Sequence, residues 1–103
     1  MAAKRGSVKV LDEISRFRCK SGRALIREEV WQDADGEVVR YNLAFINHFL
    51  TPADNGRVLG YDNSHGEHHR HFKGSTESFV YTDYAVVRER FVNEVRELRK
   101  ELP

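Results

Sequence analysis

The chain has 103 residues, the size of one domain with one hydrophobic core, and no internal stretch reads as a linker, so residues 1–103 are taken as a single domain. Its 17 basic and 16 acidic side chains leave a net charge of +1, which excludes a global field for nucleic acid or an acidic membrane and confines any RNA contact to a local patch. A single cysteine, Cys19, excludes an internal disulfide framework, and Met1-Ala2-Ala3-Lys4-Arg5 opens no apolar segment for a signal peptide or a span, so a reducing cytoplasm and no membrane partner are expected.

Met1 to Gly6 reads as frayed. Ser7 is placed to cap a short helix carrying Leu11, Ile14 and Phe17 on one side, with Gly22 beyond its end. From Ala24 to Gln32 the residues Leu25, Ile26, Val30 and Trp31 suggest a strand, and Asp33-Ala34-Asp35-Gly36 turns it into a second. There Val39, Tyr41, Leu43, Phe45 and Phe49 repeat with period two within 37–50, which marks a half-buried strand. Thr51 to Gly56 is turn chemistry, followed by a third strand over Arg57 to Asp62 and a fourth over His69 to Lys73.

After Gly74-Ser75-Thr76, either Thr82 or Asp83 can cap a helix in which Tyr84, Val87, Phe91, Val95, Leu98 and Leu102 recur at intervals of three and four. Its other face mixes charges, read as a solvated surface with pairs such as Arg90 with Glu94. The fold class is therefore α+β: an antiparallel meander of about four strands against a long C-terminal helix, with a short N-terminal helix. So charged a chain has a thin core, which leaves an apolar face for a second copy or another partner, so a homodimer is an expectation.

Four of the five histidines fall in His65-Gly66-Glu67-His68-His69-Arg70-His71. If Leu59 and Tyr61 share a face with Phe72, parity puts Asp62, His69, His71 and Lys73 on the other, with Gly60 leaving space beside them and Arg70 pointing away. Three uses of this patch stand open. Two imidazoles can divide base and acid roles in cleaving RNA through its own 2′-hydroxyl, Asp62 orienting one ring and Lys73 or Arg70 stabilising the phosphate. No cofactor is needed for that, and Asn63, Arg70, His65 and His68 are the candidates for holding substrate. Alternatively, Asp62, His65, His69 and His71 have the ligand types for zinc or another divalent metal. The third use is a surface turn that docks a partner without chemistry.

The run Val58-Leu59-Gly60-Tyr61-Asp62-Asn63-Ser64-His65-Gly66-Glu67-His68-His69-Arg70-His71 resembles the TumE family of small bacterial toxin-antitoxin proteins, marked by Tyr-Asp-Asn, a short gap and His-x-His. The Ala24-Leu25-Ile26-Arg27 segment, the strand from Tyr41 to Asn47 and the C-terminal helix follow in the same order, so the resemblance spans residues 23–100. It implies a toxin paired with a helix-turn-helix antitoxin, with Asp62, Asn63, His69 and His71 at the motif positions. An endoribonuclease activity is the leading expectation, resting on the polar patch and on analogy with small toxins that cut RNA.

Overall fold

The computed structural model describes residues 6–20 and 22–102. Six strands form one antiparallel sheet in sequence order: β1 (Val8–Cys19), β2 (Gly22–Gln32), β3 (Val38–Ile46), β4 (Arg57–Asp62), β5 (His69–Phe72) and β6 (Ser75–Ser78). A short 3-10 helix over Ala53–Gly56 leads into β4, and one α-helix, α1 (Tyr84–Arg99), follows β6. The α+β meander is as read from the pattern, with two strands more.

The first extra strand replaces the expected N-terminal helix. Leu11, Ile14 and Phe17 have helical spacing, but Leu11 to Cys19 pair residue by residue with Val30 to Gly22, and a bulge at Val10 resets the register. A short amphipathic helix would have satisfied its own backbone, whereas the strand satisfies that of β2 as well, and tertiary pairing overrides the local periodicity. The second is β6, whose four residues are all exposed and give no apolar signal. Its hairpin with β5 turns on Lys73 and Gly74, with φ of 47° and 93°, the left-handed pair that a two-residue turn needs. Lys73 thus belongs to the turn.

The Asp33 turn closes as its residues dictate: Asp33 Oδ1 accepts the backbone N–H groups of Asp35 and Glu37 at 2.9 and 3.0 Å. In β3, Tyr41, Leu43 and Phe45 are buried on one face as the alternation required. Phe49 is not part of that stripe: β3 ends at Ile46, and Asn47 Oδ1 takes the N–H groups of Phe49 and Leu50, both at 2.9 Å, turning the chain so that Phe49 is 60% exposed.

Asp83 caps α1 by accepting the Val86 N–H at 3.0 Å, and Val87, Phe91, Val95 and Leu98 bury themselves against Leu43, Leu59, Tyr61 and Phe45. The helix rests on β3 and β4. Its charged side is not wholly solvated. Glu94 joins Arg70 and Tyr61 rather than Arg90, while Arg88 donates to Glu28 of β2 at 2.9 Å. The opposite face of the sheet, which carries Glu29, Asn42, Gly60, Asp62 and His71, has no α-helix over it among the described residues.

Candidate functional site

The β4–β5 register pairs Asp62 with His69, Tyr61 with Arg70, Gly60 with His71 and Leu59 with Phe72. Alternation then sends Leu59, Tyr61, Arg70 and Phe72 to the helix face, and Asp62, His69 and His71 to the open one. Three successive residues of the Tyr-Asp-Asn segment consequently serve three places. The Tyr61 hydroxyl donates to Glu94, beside Arg70. Burial, and then the Glu94 carboxylate, push that phenol up to about 12. Asn63 lies past the end of β4 and bonds to the backbone of β3: its Oδ1 accepts the Tyr41 N–H at 3.0 Å and its Nδ2 donates to the Val39 carbonyl at 3.0 Å.

Asp62 holds a histidine. Its Oδ2 lies 2.9 Å from His71 Nε2, and His71 Nδ1 lies 3.2 Å from the Thr76 hydroxyl on β6. A carboxylate only accepts, so Nε2 carries a proton, and in the neutral ring the lone pair of Nδ1 faces Thr76. Both partners are largely enclosed, with side chains 14% and 10% exposed for His71 and Asp62. The ring of His69 is 6.2 Å from that of His71, and its Nε2 is 3.5 Å from the exposed Glu67 carboxylate.

The cation beside this group is Arg57, a residue that simple alternation assigns to the other face. The register of β3 and β4 shifts between Phe45 and Ile46, which frees Arg57 to lie over Gly60 on the open face. Its Nη1 is 3.6 Å from Asp62 Oδ2, and its Nε is 2.7 Å from Asp54 Oδ2. A Cβ on Gly60 would stand 2.8 Å from Arg57 Cδ and 3.2 Å from the Leu43 carbonyl, so the space expected beside Gly60 is where the arginine stem passes.

The other candidates go elsewhere. Lys73, in its turn, reaches Glu101 at 3.6 Å and lies over the Phe72 ring, away from the histidines. Arg70 is bound to Glu94 on the helix face, which raises its pKa further above the ordinary guanidinium value. His68 stacks on Tyr81 at 4.0 Å and shares a 2.8 Å hydrogen bond with the Tyr41 hydroxyl. Burial, and then His69, hold its pKa below the ordinary value. His65 is exposed in the turn, so the alternative metal set is not drawn together, and no group of three such ligands forms among the described residues.

Arg57 and Thr76 are the members of the site that sequence reasoning did not find. The Lys73-Gly74 turn was a usable signal for Thr76, since a two-residue hairpin there fixes it opposite His71. Nothing local announced the bulge that turns Arg57. No helix among the described residues is long and apolar enough to cross a membrane.

No curated protein and no solved structure matches the chain at a significant level. A family model described as toxin TumE matches residues 5–99, which takes in β1 as well as the region from residue 23 that carries the resemblance in sequence. With nearly its whole length matched, the chain belongs to the toxin TumE family.

Proposed function

We propose that this toxin acts on RNA, with His71 and His69 as the acid–base pair of a metal-free transesterification. The observation that carries the reading is the placement of His71 between Asp62 and Thr76, with a second imidazole and the Arg57 guanidinium on the same face. His71 Nδ1, released from the Thr76 hydroxyl, takes the proton of a ribose 2′-hydroxyl while Asp62 stabilises the imidazolium through Nε2. The 2′-oxygen then bonds to phosphorus as the P–O5′ bond breaks. His69 gives its proton to the leaving O5′, which yields a 2′,3′-cyclic phosphate and a free 5′-hydroxyl. Arg57 offsets charge on the phosphoryl oxygens. A toxin of this family calls for an antitoxin partner, and a helix-turn-helix antitoxin in the cytoplasm is the form we propose.

The test uses the purified chain and a panel of cellular RNAs. Cleavage should leave cyclic phosphate ends, survive a chelator and fail on 2′-O-methylated RNA. His71→Ala or Asp62→Asn should lower the rate by roughly 10² to 10⁴ while leaving the fold intact. Cleavage of the methylated substrate would overturn the mechanism. A folded, growth-arresting protein that cuts no RNA would transfer the turn to a docking role, a reading favoured by the exposure of Ser64, His65, Gly66 and Glu67.

A further inference from the structure

β1 is an edge strand of 12 residues, twice as long as β4. On its outer side alternate residues direct backbone N–H and C=O groups away from β2, the template that sheets commonly shorten or cover. Val8, Val10 and Ile14 are 59%, 50% and 41% exposed along it. Around its centre the charges are segregated, with Asp12 and Glu13 before it and Arg16 and Arg18 after it, while Lys9 lies further out, beyond the bulge at Val10. A strand of that pattern complements itself when antiparallel.

We infer that two copies of this chain pair edge to edge through β1, around a two-fold axis at Ile14, joining their sheets into one. An axis perpendicular to the sheet keeps both open faces on the same side, so each residue must oppose one that points the same way. Only registers that slide by whole pleats satisfy this. With Ile14 opposite its own copy, Asp12 faces Arg16 twice on the open face, and Leu11 faces Phe17 twice on the helix face, so that apolar meets apolar and acid meets base. Sliding one step toward the N-terminus sets Glu13 against its own copy, a like-charge pair that is destabilising. One step the other way opposes Phe17 with Glu13 and Ile14 with Arg16. The bulge at Val10 interrupts the outer edge just beyond Leu11, which ends the shared ladder at its last apolar pair.

The occupant is a second copy because the match is with this strand's own order of residues. Asp12 already lies 2.8 Å from Lys9 and 3.4 Å from Arg27, so Arg16 of the second copy would join an existing cation-carboxylate cluster rather than an isolated charge.

Sedimentation velocity on the full chain should give twice the monomer mass, and Ile14→Arg, which sets two guanidiniums across the axis, should halve it while the circular dichroism spectrum and melting transition persist. A register scan supplies the second reading. In a Cys19→Ser background, Glu13→Cys, Ile14→Cys and Ser15→Cys are each oxidised and run without reductant. A residue facing its own copy lies about 4.5–5.5 Å away, within disulfide reach. One pleat step separates such copies by about 7–8 Å, at or beyond the limit. Covalent dimer should therefore peak at position 14. A peak at 13 or 15 overturns the register, and a chain that stays monomeric at its highest attainable concentration overturns the pairing, leaving the edge to a strand from another protein.

Discussion

Asn63 stands in for a missing residue of β4 by engaging the backbone on either side of Arg40: its amide oxygen accepts the Tyr41 N–H and its amide nitrogen donates to the Val39 carbonyl, each at 3.0 Å. The β3–β4 ladder thereby continues past Asp62 and fixes where the histidine turn begins. Asn63→Ala leaves two backbone groups of β3 without these partners in a half-buried place, and the expected loss is about 1–3 kcal/mol in urea melts. A melt unchanged within error would return Asn63 to the role of substrate ligand.

Arg57 and Lys73 separate the two possible origins of positive charge at the site. Arg57→Ala should lower activity on RNA, and Gly60→Ala should do the same, because its Cβ displaces the arginine stem from Asp62. Lys73→Ala, whose side chain is directed to Glu101 and the Phe72 ring, should leave activity within about twofold of the parent. Kinetics in which Lys73 mattered and Arg57 did not would restore the assignment by strand parity.

His68 makes stability depend on pH. Its pKa is held below the ordinary 6.5 in the fold, so the unfolded chain takes up the proton first as pH falls. Stability is thus greatest above the unfolded value, declines as pH drops through it, and levels off below the folded value. Urea midpoints between about pH 7.5 and about pH 5 should fall less steeply for His68→Phe than for the parent. Equal slopes would place the proton uptake on other groups.

Phe91 is the centre of the helix contact, 3% exposed and edge-on to Tyr61 with ring centroids 6.4 Å apart. Phe91→Ala should destabilise the protein by about 3–5 kcal/mol. A loss near zero would place the α1 stripe in solvent.

The elements legible in the chain were those with a strong apolar period. Tyr41, Leu43 and Phe45 marked β3, and Val87, Phe91, Val95 and Leu98 marked α1, because a buried face leaves its repeat in the residues. The Asp62–His69 register was legible for the same reason, since only one parity kept Leu59, Tyr61 and Phe72 together. β1 was misread because an edge strand has only one neighbour to constrain it, and its apolar residues fell by chance at helical spacing. β6 was missed because Ser75 to Ser78 bury nothing. At the site, alternation failed for the two cations, Lys73 in a left-handed turn and Arg57 at a bulge, the places where the period of two is broken.

Every residue of the Asp62–His71 pair and its supports lies between Asp54 and Thr76, while the side chains that close the other face of the same strands, Phe91, Val95 and Leu98, are synthesised afterwards. A growing chain on the ribosome can therefore contain the whole site and still lack the cover for Leu59 and Tyr61 that keeps β4 in place. The helix side of β4, the strand that carries Asp62, is covered only once α1 has been made and has docked.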